Sequence, residues 1–117
     1  MVVADVLVVD DDSEHLAIFR SLLGKLGHSV TLADNGYLAL RFLQHKRFDL
    51  VLADVVMPLM DGAEFRREAA KMRPDLPVVF VTGHRRQAAR LLGEDAPMLF
   101  KPVSTNTIES VIRERVG

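Results

Sequence analysis

Short, continuous apolar runs alternate with longer stretches of helical period along this chain, and no other feature limits its fold as much. The runs are Val6-Leu7-Val8-Val9, Ser29-Val30-Thr31-Leu32-Ala33, Leu50-Val51-Leu52-Ala53, Val78-Val79-Phe80-Val81 and Met98-Leu99-Phe100. Most lack the polar alternation of a half-solvated strand, which is how strands buried on both faces read. Between them, Leu16, Phe19, Leu23 and Leu26 recur at helical spacing, with Ser13 as the expected N-cap and Gly27 just past the end. Leu38, Phe42 and Leu43 predict a second helix from near Asn35-Gly36, and Phe65, Ala69 and Met72 a third, stopped by Pro74. Arg85 to Leu92 gives a weaker fourth, and Ile108, Val111, Ile112 and Val116 a fifth, capped by Ser104 or Thr105. Five βα units with right-handed crossovers predict an α/β fold: a doubly wound five-stranded parallel sheet in the order 2-1-3-4-5.

A chain of 117 residues suits one domain, and with 49% hydrophobic residues it can bury a core without staples. The formal charge of −1 provides no global field to recruit nucleic acid or an anionic membrane. The absence of Cys excludes disulfides and thiolate metal sites. Met1-Val2-Val3-Ala4-Asp5 lacks a basic targeting region, and no apolar run approaches the roughly 18 residues a membrane span needs. No repeat, linker or low-complexity tract interrupts the pattern, and the fifth helix runs almost to Gly117. The expectation is a single cytoplasmic domain over residues 1–117, with no output domain attached and neither nucleic acid nor membrane as a partner.

In an open parallel sheet, ligands bind beyond the carboxyl ends of the strands. Here the first strand ends in Asp10-Asp11-Asp12, the third in Asp54, the fourth in Thr82 and the fifth in Lys101, while the second ends in Ala33-Asp34 at the sheet edge. Taken singly, each has a plain reading. Asp12 or Ser13 caps a helix, Asp10-Asp11 is a solvated loop, Thr82-Gly83 is a turn, and Lys101 is a surface lysine. Their joint placement at one rim is different, because crowded like charges destabilise it unless something binds there. Clustered carboxylate oxygens suit Mg²⁺, which takes only one or two protein carboxylates and keeps several waters. Lys101 would then meet one phosphoryl oxygen and the Thr82 hydroxyl another, the positioning and charge stabilisation that phosphoryl transfer requires. One carboxylate must be the nucleophile, and Asp54, ending the central strand, is best placed.

With these residues in view, the chain resembles, along its full length, the CheY-like receiver domain of two-component response regulators. The carrying segments are Val8-Val9-Asp10-Asp11, Asp54-Val55-Val56-Met57-Pro58-Leu59-Met60-Asp61-Gly62, Thr82-Gly83 and Lys101-Pro102. The nine-residue segment is the specific one; the two pairs are weak alone but correct in order and spacing. The resemblance implies that Asp54 accepts phosphate from a phosphohistidine of a histidine kinase or phosphotransfer domain, and so switches binding to an output partner. It implies that Asp11, Asp54 and the Val56 carbonyl ligate Mg²⁺, that Asp10 acts through water, and that Thr82 and Lys101 bind the phosphoryl group. It also implies a cis Lys101–Pro102 bond, and a domain that catalyses only its own phosphorylation and dephosphorylation. In the loop, Pro58 fixes φ and Gly62 can adopt φ > 0, so that together they shape the segment carrying the Val56 carbonyl.

Three features depart from the family pattern. Met98 stands where an aromatic switch residue is usual; it can fill a pocket but supplies no ring. Only 18 residues separate Thr82 from Lys101, fewer than is usual. Gly93, Asp95 and Pro97 punctuate that stretch, predicting a short or irregular fourth helix; receivers of hybrid sensor kinases sometimes look like this. Val56 and His84 flank the route of an attacking water, and apolar Val56 is expected to prolong the phosphorylated state. Arg66-Arg67, Arg85-Arg86 and Arg90 read as solvated helix faces.

Two other classes of function share part of this pattern. An apolar strand followed by Asp10-Asp11-Asp12, with Thr82 and Lys101 downstream, is similar to the opening of haloacid-dehalogenase-type phosphatases. That reading needs a further acidic pair, yet after Lys101 only Glu109 and Glu114 remain, both within the fifth helix. The other is a receiver-like interaction module that no longer uses phosphate, which the Met98 substitution favours and the intact Asp10, Asp11, Asp54, Thr82 and Lys101 oppose.

Overall fold

A computed structural model describes residues 3–93 and 95–116. Met1, Val2 and Gly117, which figure in the sequence reading, lie outside them. Among the described residues, five strands and five helices alternate: β1 (Asp5–Val9), α1 (Ser13–Lys25), β2 (Ser29–Ala33), α2 (Gly36–His45), β3 (Leu50–Ala53), α3 (Gly62–Met72), β4 (Val78–Thr82), α4 (Arg85–Leu92), β5 (Met98–Phe100) and α5 (Thr105–Arg115). All pairings are parallel, in the order β2-β1-β3-β4-β5, as the alternation predicts.

Because successive side chains on a strand point to opposite faces, each central strand feeds two cores. Leu7, Val9, Val51, Ala53 and Phe80 pack with Ala39, Leu43, Phe65, Ala69 and Ala88 on the side of α2, α3 and α4. Val6, Val8, Leu50, Leu52, Val79 and Val81 pack with Leu16, Phe19, Leu23, Ile108 and Ile112 on the side of α1 and α5. Burial on both faces holds for β1, β3 and β4 but not for the edge strands, whose residues are mostly half-buried or exposed. Phe100 is 39% exposed at the β5 edge, where the Arg85 guanidinium lies 3.9 Å from its ring centroid and covers one face.

Local chemistry explains the helix ends. The N-cap of α1 is Asp12 rather than Ser13. Its carboxylate accepts the backbone N–H groups of Glu14 and His15, which lowers the Asp12 pKa, and Ser13 is already helical. At the other end Gly27 takes φ +87°. Its N–H donates to the Gly24 carbonyl and that of His28 to Leu23, closing a Schellman motif. Asn35, Asp61 and Ser104 cap α2, α3 and α5 through their side chains, whereas α4, eight residues long, has no side-chain cap.

Candidate functional site

Strand register brings the site together. Val9 pairs with Ala53, and Thr82 with Phe100, so the residues that follow emerge level at one rim. The ladder continues one step past the strands: the Asp54 N–H donates to the Val9 carbonyl at 2.8 Å, and the Lys101 N–H to the Thr82 carbonyl at 2.9 Å. Asp10 and Asp54 are thereby held with their carboxylates buried, at 2% and 6% exposure, while Asp11 stands exposed beside them. One carboxylate oxygen from each of the three lies within 4.8 Å of the others.

Lys101 follows β5 into this cluster, and its peptide bond to Pro102 is cis. Its Nζ lies 2.7 Å from Asp10 Oδ2 and 3.5 Å from Asp54 Oδ2. Burial raises the Asp54 pKa; the Lys101 ammonium works against that, Asp10 adds to it, and the Val55 N–H on Asp54 Oδ1 at 2.8 Å lowers it again. Fully buried Thr82 accepts the His84 N–H at 2.9 Å on its Oγ1, which leaves the hydroxyl proton free to donate. Asp11, Asp54, Val56, His84 and Lys101 line a cavity of about 470 Å³ at this rim, together with Asp12, His15, Met57, Pro58 and Gly83. Met98 is set back from it, half-buried against the core that contains Phe80.

The loop that follows Asp54 uses its glycine in another way than through positive φ. Gly62 does not have positive φ; Leu59 does, at +72°, where the Met60 N–H turns back to the Pro58 carbonyl in a γ-turn. What Gly62 provides is space. A Cβ there would lie 2.8 Å from the Asp54 carbonyl oxygen and 2.9 Å from Val55 Cα, because the Gly62 N–H closes onto the Val55 carbonyl.

His15 also reaches this cluster, a placement that the strand-end pattern does not reveal. Its Nδ1 lies 2.8 Å from Lys101 Nζ and 3.5 Å from Asp10 Oδ2. The available signal was its place in the first turn of the helix that follows Asp10-Asp11-Asp12, a turn that must start at the rim.

The response regulator receiver domain family matches residues 6–113 of the chain. The receiver protein CpdR of Brucella abortus is 39% identical over 100 residues, covering 83% of each chain. The transcriptional regulatory protein ZraR of Klebsiella oxytoca is 38% identical over 116 residues, and there the chain spans only 26% of its relative's length. Among solved structures, the receiver domain of the sensor histidine kinase PA1611 from Pseudomonas aeruginosa superposes with a TM-score of 0.88 at 25% identity, over 99% of both chains; it has a magnesium ion coordinated in its active-site cleft. With the parallel sheet, the rim of carboxylates and the family match in agreement, the chain belongs to the response regulator receiver domains of two-component signalling.

Proposed function

We propose that Asp54 is the phosphoacceptor of a phosphorelay, taking a phosphoryl group from a phosphohistidine of a histidine kinase or phosphotransfer domain and so switching the binding of an output partner. The observation that carries this is the convergence of Asp10, Asp54 and Lys101 from three strand ends, with Lys101 Nζ at 2.7 and 3.5 Å from the two carboxylates. Residues 1–117 act as one receiver unit in the cytoplasm.

Mg²⁺ fits the donor set: carboxylate oxygens of Asp10, Asp11 and Asp54 within 4.8 Å of one another, two of the groups buried. Asp11, Asp54 and the Val56 carbonyl would hold it, with Asp10 acting through water; when bound, it offsets the negative charge gathered at the acceptor. The magnesium in the related kinase receiver supports this assignment. In the transfer, an Asp54 oxygen forms the bond to phosphorus while the P–N bond breaks and its electron pair leaves on the imidazole nitrogen, giving an aspartyl phosphate. Lys101, already beside Asp54, pairs with one phosphoryl oxygen, and the Thr82 hydroxyl donates a hydrogen bond to another. Water later attacks phosphorus and the carboxylate leaves, so the domain speeds only its own phosphorylation and dephosphorylation.

The test is incubation with Mg²⁺ and acetyl phosphate, followed by a search for a base-labile, hydroxylamine-sensitive adduct. Labelling that is lost in Asp54→Asn supports the reading. Turnover lost in Asp10→Asn without an Asp54 adduct would indicate a phosphatase, and no labelling a phosphate-independent module.

A further inference from the structure

Three acceptors surround the three protons of the Lys101 ammonium: Asp10 Oδ2 at 2.7 Å, His15 Nδ1 at 2.8 Å and Asp54 Oδ2 at 3.5 Å. An ammonium has no lone pair, so the 2.8 Å contact makes His15 Nδ1 the acceptor and puts the imidazole proton on Nε2. The separations of 3.5 Å between this nitrogen and the carboxylates of Asp10 and Asp12 are then neighbour distances rather than hydrogen bonds. His15 therefore takes a share of the ammonium from α1, at a shorter distance than Asp54 does.

We propose that His15 is a positioning residue for Lys101, holding the ammonium away from Asp54 so that this carboxylate stays open to a cation and to a phosphoryl group. The geometry is independent of the phosphoacceptor reading; its functional consequence rests on it. Without the imidazole, the ammonium is free to shorten its existing 3.5 Å contact with Asp54 Oδ2. Both partners are largely buried, at 14% and 7% side-chain exposure, so a closer pair is a charge-assisted bond that an incoming cation must break.

His15→Leu keeps the bulk and removes the acceptor, and it is expected to weaken Mg²⁺ binding by roughly three- to tenfold in calorimetric titration, the net scale of one ordinary hydrogen bond, since the competing contact is tightened and not created. His15→Asn places Oδ1 as many bonds from Cα as Nδ1 and is expected to restore the affinity. In a Lys101→Met background, His15→Leu is expected to change nothing further, because the effect runs through the lysine. A second readout needs no metal. The ¹⁵N resonance of the Lys101 ammonium, recorded in a chelating buffer, is expected to shift in His15→Leu and to return in His15→Asn. An unmoved resonance, or equal loss of Mg²⁺ affinity with and without Lys101, overturns the proposal. A wild-type protein that binds no Mg²⁺ overturns the phosphoacceptor reading instead, and the ammonium resonance still decides the role of His15.

Discussion

A carboxylate that attacks phosphorus must be ionised, yet burial disfavours its charge. At Asp54 burial dominates and raises the pKa above the ordinary 3.8, only partly offset by Lys101. The folded protein thus binds this proton more tightly than the unfolded chain does. The group's stabilising contribution is complete below the unfolded pKa and is lost as pH rises through the folded value, leaving ionised Asp54 as a cost at neutrality. Asp54→Asn is therefore expected to melt at a higher temperature than wild type near neutral pH in chelator, with the gap closing as pH falls toward 3.8; calorimetric melts of both proteins across that range check it. Beside it, half-buried Val56 lines the cavity without a polar group to hold water. Val56→Asn is expected to dephosphorylate several-fold faster than wild type, measured as decay of the labelled protein after removal of donor. A rate equal to or below wild type would remove Val56 as the cause of persistence.

Between β3 and α3, local geometry and site are one problem. Gly62 packs against the Asp54 and Val55 backbone with no room for a Cβ, and the Asp61 carboxylate caps α3 by accepting the Glu64 N–H at 2.9 Å. Gly62→Ala is expected to destabilise the fold by about 1–3 kcal/mol, the range for overpacking a filled site, and to slow phosphorylation because the atoms it displaces carry Asp54. Urea denaturation and the initial rate of labelling measure the two effects. The loop was legible as a turn, but not the reason for its glycine. A short sequence window shows that Gly permits unusual φ; it does not show that the Asp54-Val55 backbone would lie under 3 Å from a Cβ there. Likewise, α1 was legible from its apolar spacing, while the choice of Asp12 over Ser13 as cap depended on where the chain leaves β1. The eight-residue α4 was foreseen from the short spacing to Lys101.

For the molecule as a whole, buried like charges make the site a place where the folded state gains by binding a cation. Mg²⁺ is expected to raise the melting temperature progressively with concentration, following mass action on the folded state, and Asp11→Asn or Asp54→Asn to shrink the rise. Melts at increasing Mg²⁺ concentration, set against an equal ionic strength of NaCl, separate site binding from screening.

Alternating buried strands and amphipathic helices determined the parallel sheet and its order, because the two periods admit few ways of covering both faces. The polar residue at each strand end was equally legible, since a parallel sheet sends all those ends to one rim. What only the tertiary structure decided were distances between residues far apart in the chain: the Lys101 ammonium shared among Asp10, His15 and Asp54, and the edge strands left half open. Those depend on strand register, which is a property of packed neighbours and not of any local run of residues.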